Sequence, residues 1–370
     1  MRDGTVTVGQ DSSTSGLADF VARMGGERSL RVEENLGEGY VRLRVAEAER
    51  RQAKHDIRCV EDMVIELLRN SRDAGAKRIY LATSREGDLR TTTILDDGSG
   101  IPQDMHERIF EARVTSKLES VHVDRWGVHG RGMALYSVRE NADSARVASS
   151  APGKGASISV VTDATKLSER ADQSTWPTLG EDEDGRRSCG RGPHNIVRTC
   201  CEFALEEYGT CEVYVGSPAE IAATARARVT PSIDSSELLF MDDLSALPVL
   251  ERLRAAADAR ELLSVCKDLG LEMSERTAHR VVSGQIKPLR SVASRMLRKA
   301  DAPTGPKSVD LYRDRRGLKL SKPDMEEFSH VLAKDFSFIE DRYYVSLVND
   351  PKVRVGKGRI TVTFDLEDAD

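Results

Sequence analysis

The stretch VIELLRNSRDAGA, residues 64–76, leaves the chain little choice of local structure. With Val60 and Met63 before them, Val64, Leu67 and Leu68 fall at i, i+3, i+4, i+7 and i+8, one apolar face of a helix. Gly75 stands where such a helix should be capped. Glu66, Asn70 and Asp73 occupy i, i+4 and i+7, a polar stripe beside the buried face. A carboxamide and a carboxylate one turn apart can divide labour: the amide oxygen ligates a hard cation while the carboxylate activates water. The same stripe also describes an ordinary solvated helix face.

The pattern stays regular from Tyr40 to Asp163. Strands are expected over 78–83 and 89–95, joined by the turn-like Arg85-Glu86-Gly87-Asp88. Asp96 then ends a strand in LDDGSGIP, with Gly98 and Gly100 allowing a close backbone approach. A carboxylate there can accept a hydrogen bond from an exocyclic amine such as that of adenine, although Asp-Gly turns are common without any ligand. In ARVTSK the hydroxyls of Thr115 and Ser116 and the ammonium of Lys117 suit phosphate oxygens. GVHGRGMALYSV, 127–138, places Gly127, Gly130 and Gly132 before a helix-like run. Its G-x-x-G-x-G spacing is neither the dinucleotide fingerprint nor the Walker loop. The amides of 130–133 would nevertheless sit at a helix N-terminus, where anions are favoured. A last hairpin, 144–150 and 156–162, turns at Pro152-Gly153-Lys154-Gly155, and GKGAS can bring the Ser157 hydroxyl near a base.

These stretches, in this order, resemble the GHKL ATPase superfamily (gyrase, heat-shock chaperone, histidine kinase, MutL) over about residues 55–163. ELLRNSRDAGAKRI, DDGSGI and VTSK look most like the MutL boxes E-L-V-E-N-S-x-D-A-G-A, D-N-G-x-G-I and A-T-S-K. The resemblance implies a two-layer α/β sandwich that binds ATP with Mg2+. It makes Glu66 the base for the attacking water, Asn70 the magnesium ligand, Asp73 a supporting residue and Asp96 the adenine-binding carboxylate. Gly98 and Gly100 match the first glycine box, and Thr115, Ser116 and Lys117 the segment near the phosphates. Gly127, Gly130, Arg131, Gly132 and Met133 match the lid and second glycine box, and Ser157 the last one. Two departures stand out: Gly127–Leu135 reads GVHGRGMAL where MutL has G-F-R-G-E-A-L, and Asp97 replaces the usual Asn. His55 precedes Asn70 by only fifteen residues, too near to sit on a separate phosphoacceptor hairpin as in a histidine kinase. The implied function is an ATPase whose lid closure drives dimerisation or domain rearrangement; the alternative is a nucleotide-gated regulatory protein with little hydrolysis.

Around this block, residues 1–16 read as a disordered leader, 17–163 as the ATP-binding domain and 164–193, polar and glycine-rich, as a linker. Residues 194–370 read as a mixed α+β half containing a basic helical segment, 247–322. The net charge is −6, yet 276–322 holds 13 Lys/Arg against three Asp, a local +10 that leaves −16 for the rest. Such asymmetry suggests an anionic partner. Residues 261–300 can be read as a helix-turn-helix followed by a basic helix, with DNA as partner through Arg276, Arg280, Lys287, Arg290, Arg295, Arg298 and Lys299. Six scattered cysteines without a C-x-x-C pair argue for reduced thiols over a metal or disulfide framework. No membrane-length apolar run or signal-peptide core is present in the sequence, so cytoplasmic residence is the default expectation.

Overall fold

In a computed structural model, residues 32–45, 47–116, 122–124, 127–129, 132–182, 185–233, 241, 243–300, 320–343, 345–356 and 359–368 are described. The expected leader, 1–16, lies outside them. Contacts along the chain divide it into two units, Met1–Ala302 and Pro303–Asp370.

In the first unit the opening stretch is a helix over Val60–Asp73, with Val60, Met63, Val64, Leu67 and Leu68 all buried. Gly75, in the left-handed conformation, ends it: its N–H donates to Arg72 O at 2.8 Å and that of Ala76 to Ser71 O at 3.1 Å, a Schellman closure. Strands β3 (Arg78–Glu86) and β4 (Leu89–Asp96) follow as a hairpin in which Glu86 faces Leu89. Only Gly87 and Asp88 form the turn, so the first strand runs three residues beyond the expected end. With β8 (Ser144–Ser150), β9 (Ala156–Asp163) and β12 (Glu212–Gly216) they make a sheet of order β12-β3-β4-β9-β8. Strand β12 pairs parallel to β3, and the other neighbours are antiparallel.

Strand alternation sends successive side chains to opposite sides of this sheet. Ile79, Leu81, Ile94, Ile158 and Val213 join Met63, Leu67 and Leu68 in one core. Helices α1 (Glu47–Asp56), α2 (Val60–Asp73), α3 (Ala134–Asn141) and α4 (Ile196–Glu206) precede or accompany it, and α2, α3 and α4 cover that face. Tyr80, Ala82, Leu95 and Tyr214 point the other way, into a second core. There they meet α5 (Pro218–Arg228), α6 (Val249–Ala255), α7 (Ala259–Asp268) and α8 (Glu275–Val282). Tyr80 stacks on Tyr214 with ring centroids 4.8 Å apart. The expected α/β sandwich is therefore present, and a third layer built from the second half of the chain closes its far face.

The segment 164–193 carries a short hairpin, β10 (Leu179–Glu181) with β11 (Arg187–Cys189), within this same unit. Fully buried Asn195 fixes it, donating from Nδ2 to Asp172 O (2.8 Å) and Thr175 O (3.0 Å) while Oδ1 caps α4. Residues 261–300 do not pack together as one three-helix unit. Helices α7 and α8 pack together on the far face, whereas α9 (Val292–Ala300) buries Val292 and Met296 in the first core, against α4 and β12. A small three-stranded sheet, β1 (Val32–Gly37), β2 (Tyr40–Leu43) and β5 (Val114–Thr115), completes the unit's N-terminal part.

The second unit has the helix α10 (Lys322–Tyr343) and two strand pairs, β13 (Val345–Leu347) with β16 (Leu366–Asp368) and β14 (Lys352–Gly356) with β15 (Arg359–Thr363). Ser321 and Asp324 bond reciprocally at the helix start, the capping box that their spacing predicts. Among the described residues no helix is long and apolar enough to cross a membrane.

Because Tyr80 and Leu95 need the far layer, a chain ending at residue 166 should expose them and lose cooperative unfolding. A chain ending at 302 should melt in one transition, followed by circular dichroism. A sharp melt of the 166-residue fragment would contradict this division.

Candidate functional site

Asp96 sits at the end of β4, 4 % exposed, and its carboxylate is held from two sides. Ser71 Oγ on α2 donates to Oδ2 at 2.8 Å, and the Gly98 N–H donates to Oδ1 at 2.9 Å. Burial nevertheless dominates over these bonds and pushes its pKa up to about 6. Its neighbour Asp97 does a different job: its Oδ1 accepts the N–H groups of Lys77 (2.7 Å) and Arg78 (2.8 Å), fixing the link from α2 to β3.

The glycines around Asp96 are needed for contact between two loops. A Cβ at Gly100 would lie 2.0 Å from Ala151 O, and one at Gly155 would lie 2.1 Å from Asp96 O; both residues have positive φ. The loops are laced by Gly155 N–H to Gly98 O (3.1 Å), Gly153 N–H to Ser99 O (2.7 Å) and Ile101 N–H to Ser150 Oγ (2.8 Å). Gly98 itself packs on the end of α2, where an added Cβ would come within 2.9 Å of Ala74.

One cavity gathers Asn70, Asp73, Asp96, Gly100, Thr115, Ser116 and Gly132 from separate stretches of sequence. Asn70 Nδ2 is buried there without a hydrogen-bond partner, a polar atom left to be satisfied by something that enters. Asp73 Oδ1 accepts from Arg72 Nε at 2.9 Å, and Arg72 Nη1 reaches Glu207 at 3.0 Å. Gly132, Ala134 and Leu135 bring the start of α3 to the cavity wall, so its first N–H groups and dipole favour an anion there. The carbonyl of Gly132 accepts the Arg113 N–H at 2.8 Å, which ties this helix start to the Thr115 strand. Arg113, with φ 64°, is a rare non-glycine residue in left-handed backbone, and its buried side chain pairs with Glu49.

Other expected site residues lie elsewhere. Glu66 stands one turn before Asn70 on α2, outside the cavity wall, and accepts from Arg69 Nη1 at 2.7 Å. Met133 is the N-cap position of α3 and is not part of the wall. Gly127 begins a short strand, Gly127–His129, paired with His122–Asp124, so this part of the glycine stretch is extended chain and not a loop. Lys117, Gly130 and Arg131 lie outside the described residues. Ser157 is a correction. It faces the far layer, donating to Leu269 O at 2.7 Å, because Ala156 and Ile158 on either side of it take the cavity side of β9.

The basic residues do not share one layer. Arg276 and Arg280 are exposed on α8 and Lys287 and Arg290 are exposed in the segment after it, but Arg295 on α9 lies 3.7 Å over the Trp176 ring. The side chains of Arg298 and Lys299 are outside the described residues. Tyr40 carries no sequence signal as a site residue. It lines the cavity from β2, hydrogen-bonded to Ser116, and burial raises its phenol pKa. The pairing of Val41 with Thr115 and of Arg42 with Val114 brings it there, a long-range contact with no local signature.

The Asp96 carboxyl takes up its proton near pH 6 in the folded chain and near its ordinary value of 3.8 when unfolded. Between these values the folded state binds more protons, so this group's contribution is complete below pH 3.8 and disappears as pH rises through 6. Urea unfolding of wild type should show an extra loss of roughly 3 kcal/mol over that window relative to Asp96→Asn. Identical pH profiles for the two proteins would refute the buried-carboxyl account.

Residues 55–166 match the family described as histidine kinase-, DNA gyrase B- and HSP90-like ATPase. Similar curated proteins include the DNA mismatch repair protein MutL of Thermus thermophilus, 40% identical over 83 residues. Those residues are 22% of this chain and 15% of that protein. MutL of Thermus aquaticus is 40% identical over 84 residues (22% and 15%), and MutL of a Chelativorans species is 42% identical over 76 (20% and 12%). The chain thus covers only a small part of these relatives' length. The cavity around Asp96 and Asn70 is built almost wholly inside the matched segment, and residues 55–166 are a GHKL-type ATPase domain with nucleotide-binding boxes similar to those of MutL.

Proposed function

We propose that the cavity binds Mg-ATP and that the protein hydrolyses it slowly. The observation that carries this reading is the pairing, in one cavity, of the buried Asp96 carboxylate with the unpartnered amide of Asn70. Asp96, oriented by Ser71 and Gly98, accepts the exocyclic amine of adenine. The hydroxyls of Thr115 and Ser116 and the N–H groups at the start of α3 receive phosphate oxygens. The buried orphan atom is the donor Nδ2, so Asn70 would hold Mg2+ with its amide turned to present the side-chain oxygen. When bound at Asn70, magnesium would supply charge neutralisation at the triphosphate.

In this reading Glu66, one turn before Asn70 on α2, takes a proton from the attacking water. Its Oε1 accepts from Arg69, which is itself 2 % exposed, so the carboxylate must turn from this partner to meet water in the cavity. That competition is the physical reason to expect slow turnover, and it supports the alternative reading of a nucleotide-gated protein that hydrolyses little. In both readings the start of α3, joined through Gly132 to Arg113, conveys whether a γ-phosphate is present. Coupling to DNA is a further proposal. It is supported by the relatives' role in mismatch repair and by exposed Arg276, Arg280, Lys287 and Arg290.

Steady-state assays should show that Glu66→Gln lowers kcat by on the order of a hundredfold or more, with nucleotide affinity retained. Equal turnover in the two proteins would remove Glu66 as the base, and absent turnover in wild type with binding intact would favour the gated reading.

A further inference from the structure

We propose that Cys189 and Cys201 are a peroxide-reactive thiol pair that closes reversibly to a disulfide and clamps the β10–β11 hairpin onto α4. Neither residue lines the nucleotide cavity, and the proposal is independent of the nucleotide reading.

The six cysteines show no C-x-x-C pair in the sequence, yet the fold brings two of them into contact. Cys201 is fully buried on α4, in the first core, and Cys189 is half-buried on β11 at that core's edge. Their thiols are hydrogen-bonded to one another. The backbone around them is held in place. Arg198, about one turn before Cys201 on α4, donates from Nη2 to Cys189 O at 3.0 Å and from Nη1 to Gly190 O at 2.8 Å. Across the hairpin Cys189 pairs with Leu179, and the Gly190 N–H donates to Thr178 O at 2.8 Å. A disulfide needs two sulfurs within reach and side chains aimed at each other. Direct contact between the thiols meets the first need and leaves side-chain rotation for the second.

The surroundings set which sulfur reacts first. The hydrogen bond with Cys189, and then burial, hold the Cys201 thiol well above its ordinary pKa, while the nearby Arg295 charge opposes them. Cys189, which solvent reaches, is therefore the one that meets the oxidant. Its sulfur, deprotonated by water, attacks one oxygen of the peroxide. The O–O bond breaks, and the departing hydroxide takes up that proton and leaves as water, so Cys189 becomes a sulfenic acid. The Cys201 sulfur, already in contact, then attacks the Cys189 sulfur. The S–O bond breaks, and the second hydroxide leaves as water with the Cys201 proton. Two thiols have lost two electrons and two protons, and the peroxide has become two waters. A small dithiol reverses the bond by exchange. Because α4 packs on α2, the clamp bears on the layer that carries Asn70.

Peptide mapping of the reduced full-length protein, treated with equimolar hydrogen peroxide and then alkylated, tests this. In wild type the peptide carrying Cys189 should be linked to the one carrying Cys201, and dithiothreitol should release it. Cys200→Ala should keep the link. Cys201→Ala should lose it and leave Cys189 oxidised to sulfinic or sulfonic acid. Cys189→Ser, at the half-exposed position, should lose it as well, which covers the case of a Cys201 variant that does not fold. Oxidation should also slow hydrogen exchange of the β10–β11 amides at least about tenfold in wild type and not in Cys189→Ser. Oxidised wild type without an intramolecular link at Cys189 would overturn the proposal. A link that survives Cys201→Ala, or one that leaves exchange in the hairpin unchanged, would overturn it too.

Discussion

The carboxyl of Asp96 has to be satisfied in an interior that disfavours its charge, and the geometry of the cavity follows from how that is done. Ser71 must come from α2, which fixes the helix against the end of β4. The Gly98 N–H must turn back onto the side chain, so the loop after Asp96 is tight and packs on Ala74. The second glycine loop then closes over the first at separations that only Gly100 and Gly155 allow. What these contacts leave open is a pocket floored by an acid with raised pKa and walled by an unpartnered amide. A ligand amine that donates to Asp96 favours its ionised form, so binding and deprotonation support one another.

The sheet imposes the second constraint. Its central strands bury side chains on both faces, so the helices of 218–282 are as necessary to the ATPase domain as α2. They also reach the site from behind. The carbonyls of Leu269 and Gly270 accept from Ser157 and Thr93, which places the far layer one strand's thickness from the cavity. These two bonds tie β9 and β4 directly to the second half of the chain.

Much of this is legible in the sequence where the signal is local. The stripe from Val60 to Leu68 specifies α2, and the spacing of Glu66, Asn70 and Asp73 places three polar groups on one helix. DDGSGI and GKGAS are recognisable as close-approach loops because glycine has few other uses in such places. What the sequence hides is long-range. RIYLATS in β3 does not say which distant segment covers its second face, and the polar run before Asn195 looks like a linker although buried Asn195 ties it down. Ser157 is misplaced by one residue, enough in a strand to move a side chain to the opposite face. In the sequence Glu66 looks open to reaction, and only the structure shows Arg69 holding it.

The central claim is that Asp96 reads an adenine amine in this cavity. Calorimetric titration with Mg-ATP and Mg-GTP tests it most directly, because guanine presents a carbonyl oxygen where adenine presents its amine. An acceptor-only carboxylate should prefer ATP by about a hundredfold or more, and Asp96→Asn should erase most of that preference. Equal affinity for the two nucleotides, or a preference untouched by the substitution, would contradict the account.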